Sequence, residues 1–240
     1  MRTEGKGLRV AAIGDLHVTE SAARPYRDLF AEIDERADAL VLCGDLTNLG
    51  LPREAEILAE DLRTLSIPVI GVMGNHDCES GQGDAVAKIL TEAGLKLLQG
   101  QVHEVDGVGF AGVKGFAGGF DRAMLAAFGE APIKAFVAEA TSEAMKLENA
   151  LRALRTDRIV AVLHYAPISA TVVGEPEVIW PFLGSSRLAE TIDRYPVKLV
   201  CHGHAHRGTF EGRTPAGIPV YNVAAPMAKP GGRPYALFEV

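Results

Sequence analysis

Five times along this chain, a short apolar run stops at a turn that carries metal-compatible side chains. Leu8 to Ile13 stops at Gly14-Asp15-Leu16-His17, Ala39 to Cys43 at Gly44-Asp45, and Ile67 to Met73 at Gly74-Asn75-His76-Asp77. Arg158 to Leu163 stops at His164, and Val197 to Cys201 at His202-Gly203-His204-Ala205-His206. Runs of this kind read as buried strands, and the glycines break them. Between the first three lie two helical patterns. Tyr26 to Arg36 puts Leu29, Phe30 and Ile33 on one stripe. Pro52, tolerated in a first turn, opens a helix with Ala55, Leu58, Leu62 and Leu65 inward. Strands alternating with helices build a parallel sheet, and ligands bind such sheets beyond the carboxyl ends of the strands. An amide, imidazoles and carboxylates gathered at such a rim are costly to bury unless something pairs them.

The remaining pattern is expected to complete an α/β fold. Asp84 to Ala93 reads as a short helix closed by Gly94. Gln101–Val105 and Val108–Val113 flank Asp106-Gly107, a hairpin signal, with His103 an ordinary strand residue. Gly112 to Phe120 is glycine-rich with two aromatics but lacks the Gly-Lys-Ser/Thr ending of a phosphate-binding loop; a substrate-facing lid and a plain connection both fit. Ser142 to Arg155 reads as a helix with Met145, Leu147, Leu151 and Leu154 inward. Residues 168–184 have no clean period, carry Trp180, and suit a loop over a cleft. Ser186 to Tyr195 reads as a helix, and Phe210, Ile218–Val223 and Tyr235–Val240 as closing antiparallel strands.

Composition narrows the function. The 240 residues are 48% hydrophobic, enough for one large core, and no linker or repeat divides them, so one domain over 1–240 is expected. The formal net charge of −7 argues against tight duplex nucleic-acid binding; a metal could still supply local positive charge for an anionic substrate. Met1 to Arg9 is polar, so no signal peptide is expected, and no run approaches the ~18 apolar residues of a membrane helix. Cys43, Cys78 and Cys201 are too few and scattered for a disulfide framework, which suits a reduced, cytoplasmic setting. Asp15 and His17, two apart, would point to one side of an extended segment. The pooled donors suit manganese, iron, zinc, cobalt or nickel better than an all-oxygen or all-thiolate site.

Taken together, Asp15-Leu16-His17, Gly44-Asp45, Gly74-Asn75-His76-Asp77, His164 and Gly203-His204-Ala205-His206 resemble the motif set of the calcineurin-like metallophosphoesterases. The resemblance implies a four-layer α/β/β/α sandwich of two mixed sheets. It implies two divalent or mixed-valence ions, with manganese, iron or zinc foremost. Asp15, His17 and His206 would hold one, Asn75, His164 and His204 the other, and Asp45 would bridge them. It further implies hydrolysis of a small-molecule phosphodiester or phosphomonoester by metal-activated water. His76 would protonate the leaving oxygen or stabilise the transition state, and Asp77 would orient His76; His202 has no role in that pattern and reads as structural. Gly44-Asp45 continues into Leu46-Thr47 without an Asp-Arg-Gly triplet, and position 77 is Asp, so the likeness is to bacterial small-molecule phosphoesterases, including cyclic-nucleotide phosphodiesterase-like enzymes, and not to protein phosphatases. A nuclease and a catalytically silent scaffold of the same fold are the rivals. No lysine adjoins a metal motif, while the 112–120 and Trp180 regions are apolar and aromatic; this tilts the expectation toward a diester with an organic or nucleoside group.

Overall fold

The computed structural model describes residues 7–240; residues 1–6, and with them most of the polar Met1–Arg9 stretch, lie outside the described residues. Strands β1 (Arg9–Ile13), β2 (Ala39–Cys43) and β3 (Val69–Val72) are parallel neighbours and are buried on both faces. That double burial is why each reads as a continuous apolar run rather than an alternating one. On one face lie helices α1 (Arg27–Arg36), α2 (Pro52–Leu62) and α3 (Gly83–Glu92), where Phe30, Ile33, Leu58 and Leu90 pack on Ile13, Leu40 and Leu42. Val10, Ala12, Val41, Cys43, Ile70 and Val72 point the other way, onto a second sheet through Phe110, Val160, Val162, Leu199 and Cys201. Cys43 and Cys201 are thus small core residues, as their positions suggested.

The first sheet has the order β11-β1-β2-β3-β4, completed by β4 (Lys96–Leu97) and by β11 (Ala236–Glu239), which runs antiparallel to β1. The second has the order β5-β6-β7-β8-β10-β9. Its strands are β5 (Val102–Val105), β6 (Val108–Val113), β7 (Ile159–Leu163), β8 (Val197–His202), β9 (Glu211–Arg213) and β10 (Pro219–Asn222). Helix α4 (Ala131–Ala153), the single turn α5 (Trp180–Leu183) and α6 (Ser186–Ile192) follow β6 and β7; Leu147, Leu151, Leu188 and Ile192 cover the outer face of the second sheet. The layers are therefore helix, sheet, sheet, helix, and both sheets are mixed, as the resemblance implied. The carboxyl ends of β1, β2, β3, β7 and β8 deliver every motif to one rim.

Three expectations are corrected. Helix α4 begins at Ala131, not Ser142, because its first turns bury only Val137 and Ala140 and so leave no apolar stripe in the sequence. Met145 is 59% exposed on its outer face rather than inward. Strand β10 pairs parallel to β8 through Val220↔Val200, so of the C-terminal strands expected to close antiparallel, β9 and β11 do and β10 does not. Among the described residues, no helix is long and apolar enough to cross a membrane.

Candidate metal centre

Asp15, His17, Asp45 and His204 all adopt left-handed backbone, with φ of 58°, 45°, 48° and 71°. Non-glycine residues rarely do so, and such strain concentrates at functional sites. It also corrects the reading of Asp15-Leu16-His17 as extended: the chain coils here, and the coil turns both side chains inward. The coil is held by strand-end hydrogen bonds, with Asp15 N–H donating to Gly44 O (2.9 Å) and His17 N–H to Asp45 O (3.0 Å). Two glycines in the motifs are there for space. A Cβ on Gly74 would lie 2.1 Å from Asp45 Oδ1, and one on Gly203 would lie 2.3 Å from Asp15 Oδ2.

The side chains form two linked clusters. Asp15, His17 and His206 bring ligand atoms within 4.8 Å of one another, as do Asp45, His164 and His204; His76 joins His17 and Asp45 in a third such group. Asp45 faces both clusters. Its Oδ2 lies 3.8 Å from His17 Nε2, and its Oδ1 lies 3.4 Å from His164 Nε2. Asn75 Oδ1 stands 2.9 Å from His164 Nε2 and completes the second cluster.

Backbone carbonyls fix which imidazole nitrogen is free. His164 Nδ1 donates to Cys43 O (2.9 Å), leaving the Nε2 lone pair aimed at Asn75 and Asp45, whose oxygens are themselves acceptors. His204 Nε2 donates to Phe182 O (3.2 Å), leaving Nδ1 for the cluster. Burial pushes both imidazoles down to about 3, so each is neutral and ready to ligate. His17 Nε2 is buried with no hydrogen-bond partner. Asp15 is pushed up to about 6, mainly by burial and further by Asp45, although His206 Nε2 (3.0 Å) and the His204 amide (2.9 and 3.1 Å) oppose this. An orphaned nitrogen, facing acceptors and a desolvated carboxylate are each relieved by a cation, so these residues fit a metal pair.

The two residues expected to serve the proton transfer separate. His76 Nδ1 donates to Asn48 O (2.7 Å) and has Glu79 Oε2 at 3.4 Å, and its ring stands edge-on to His17 at 4.6 Å between centroids. Asp77 does not touch that ring. Its buried carboxylate accepts from Thr47 N (2.7 Å), Thr47 Oγ1 (2.6 Å), Leu46 N (3.2 Å) and Gly74 N (2.7 Å), tying the Asp45 turn to the Gly74 turn. The expectation that Asp77 orients His76 is therefore corrected: the Asn48 carbonyl does that, because the short helical turn His76–Cys78 points the two side chains apart. His202 is buried and bonded to Gly203 O and Thr171 Oγ1 (both 2.8 Å), a structural role as expected.

The aromatic residues of the 112–120 segment are packed in place. Phe116 packs on Phe136 and Tyr165, and Phe120 is buried in a cluster with Leu183 and Trp180. Trp180 itself donates to Glu175 O (3.0 Å) and lines an apolar cavity of about 560 Å³ with Phe120 and Pro181. Sequence reasoning missed one residue of this segment. Lys114 accepts the His164 and Tyr165 amides on its carbonyl (3.1 Å each) and folds its ammonium over the Phe116 and Tyr165 rings, 5.0 and 5.3 Å from their centroids. A lysine within a glycine run offered no motif by which to place it.

Two mixed sheets with a carboxylate, amide and imidazole rim at their strand ends define a metallophosphoesterase. The sequence matches the calcineurin-like phosphoesterase family over residues 8–208, and the chain belongs to that family; it is a phosphoric ester hydrolase. It is 26% identical over 213 residues to a 3',5'-cyclic-nucleotide phosphodiesterase of Nostoc sp., a match covering 83% of this chain and 72% of that one. It is 26% identical over 218 residues to a probable cyclic nucleotide phosphodiesterase of Rhodococcus erythropolis, covering 88% of this chain and 65% of that one. The fold is similar to that of a phosphopantetheinyl hydrolase from Mycobacterium tuberculosis, with a TM-score of 0.68, 15% identity, and coverage of 98% and 96%.

Proposed function

We propose that this chain is a dinuclear metal-dependent phosphoesterase acting on a small-molecule phosphodiester with an organic or nucleoside group. The observation that carries the reading is the position of Asp45, whose two oxygens face two separate imidazole clusters. Asp15, His17 and His206 would hold one ion, Asn75, His164 and His204 the other, and Asp45 both. The borderline donor set suits manganese, iron or zinc. When bound, such a pair lowers the pKa of a water and offsets charge on the phosphoryl oxygens.

The chain's own residues do the rest. Cys43 O and Phe182 O lock two imidazoles in the tautomer that ligates. The His204 amide and His206 ring hold Asp15 in place. His76, braced at Nδ1 by Asn48 O, presents Nε2 as the proton donor to the leaving oxygen. Asp77 is a positioning residue, because it fixes the turn that carries Asp45 against the turn that carries Asn75 and His76. The names of the Nostoc and Rhodococcus relatives support a diester and a nucleotide-like organic group. Residues 1–240 would act as one unit, in the cytoplasm, with no nucleic-acid polymer as substrate; the net charge of −7 supports the last point.

The test is hydrolysis of bis(p-nitrophenyl) phosphate and p-nitrophenyl phosphate by metal-stripped protein to which manganese, iron or zinc is added back. The reading expects no activity without metal, and with it a higher kcat/KM on the diester. A clear preference for the monoester would overturn the diester assignment, and activity that survives complete metal removal would overturn the whole.

A further inference from the structure

Beside the metal centre lies a cavity of about 360 Å³ that no metal motif explains. Met73 and Cys78, on either side of the Asn75-His76-Asp77 turn, form one wall. Lys114 forms another, and it is joined to the centre through the His164 and Tyr165 amides that its carbonyl accepts. Asp84, Gln99, Glu139, Glu143 and Lys146 are among the other lining residues. Most of the side chains lining it are polar or charged, whereas the cavity under Trp180 is mainly apolar, and Met73 and Cys78 tie it to the turn that carries Asn75 and His76.

The charges in it are not equivalent. Glu143 is buried and already satisfied, with Oε1 taking the Lys146 ammonium (2.6 Å) and Oε2 the Gly115 amide (2.8 Å). Lys146 is thereby also engaged. Asp84 and Glu139 are exposed at the outer lip. Lys114 is half-buried, and among the described residues its ammonium has no carboxylate partner, only the Gly115 carbonyl at 3.0 Å and two ring faces. Ring faces and one carbonyl leave an ammonium with unused donor capacity in a partly desolvated place. The four-carbon stem lets it swing from the Tyr165 ring, which is 4.5 Å from the His204 ring, toward the cavity.

We infer that this cavity takes the organic group of the ester, and that Lys114 binds a second anionic group, a phosphate or carboxylate, carried on it. The inference rests on the phosphoesterase reading and adds what that reading leaves open. The outer acids Asp84 and Glu139 and the amide of Gln99 then accept and donate hydrogen bonds to hydroxyl or amino groups of the same organic portion. A 3',5'-cyclic nucleotide carries no second anionic group, so Lys114 separates this substrate class from the compounds in the relatives' names.

The experiment uses matched pairs that differ by one phosphate. The first pair is the p-nitrophenyl ester of thymidine 5'-phosphate, with and without a 3'-phosphate, assayed with saturating manganese. The second is thymidine 5'-monophosphate against thymidine 3',5'-bisphosphate, titrated calorimetrically with the metal in excess. A charge-assisted contact predicts a preference of roughly tenfold or more for the extra phosphate in wild type. In Lys114→Ala and Lys114→Gln the ratio falls toward one, and in Lys114→Arg it is retained. A carboxylate in place of the 3'-phosphate shows whether either anion suffices. No preference in wild type, or a preference that survives Lys114→Ala and Lys114→Gln, overturns the inference. Failure to hydrolyse bis(p-nitrophenyl) phosphate with any metal overturns the phosphoesterase reading instead, so the two failures are distinct.

Discussion

Gly74→Ala is the smallest change that should dismantle the centre without removing a ligand. Gly74 does not need positive φ; it needs room. A methyl group there would lie 2.1 Å from Asp45 Oδ1 and 2.2 Å from Asp45 N. The side-chain contact could rotate away, but the backbone contact could not. One of the two turns must move by about 1 Å to restore ordinary separation, and misplacement on that scale costs on the order of 10²-fold in rate. Overpacking a buried site costs about 1–3 kcal/mol. For a chain of this size that lowers Tm by roughly 2–12 °C, at ~2–4 °C per kcal/mol. The assay is thermal unfolding with and without manganese, alongside kcat/KM on bis(p-nitrophenyl) phosphate. The metal-dependent rise in Tm should shrink more than the metal-free Tm falls, because Asp45 is the group displaced. A variant with wild-type kcat/KM and an unchanged metal-dependent rise in Tm would refute the claim that Gly74 exists to seat Asp45.

Two further outcomes follow from the same geometry. His76→Ala should lower kcat by about 10²–10⁴-fold on an alkyl ester with a high-pKa leaving group while metal content stays at wild type; full activity on that substrate removes His76 from the proton transfer. The metal-free protein should lose stability as pH falls from ~6.5 to about 4. His164 and His202 are fully buried and held down to about 3 and about 4 by desolvation, so the unfolded chain takes up protons that the folded one refuses, at about 1.4 kcal/mol per pH unit for each group. Asp15, raised to about 6, opposes this in part because its folded form gains a proton first. A Tm that holds constant or rises between pH 6.5 and 5 contradicts the neutral, buried assignment of these imidazoles.

The sequence made the rim legible because each candidate ligand follows a buried strand, and burial on both faces writes a continuous apolar run that is hard to mistake. Ala39–Cys43 is the plainest instance, predicted and observed with the same bounds. Features set by tertiary contact were not legible. The left-handed backbone at Asp15, His17, Asp45 and His204 is imposed by neighbouring strand ends, and nothing local in Asp-Leu-His announces it. Asp77 looked like a partner for His76 because they are adjacent; the short helical turn sends it instead to three backbone amides and a hydroxyl. The first turns of α4 were invisible because they bury almost nothing. Lys114 reaches the centre by way of strand pairing between β6 and β7, a contact between residues far apart in sequence.

The central claim is that one carboxylate serves two metal sites, and the metal content of Asp45→Ala tests it most directly. Asp45 Oδ2 lies toward His17 and Oδ1 toward His164, 3.8 and 3.4 Å away. Removing both oxygens would take away the one group placed to serve both ions, and their like charges would then face each other without it. Wild-type protein saturated with manganese and freed of excess should carry two ions per chain by elemental analysis, and Asp45→Ala should lose most of both. Two ions per chain retained in Asp45→Ala, or no more than one in wild type, would contradict the account.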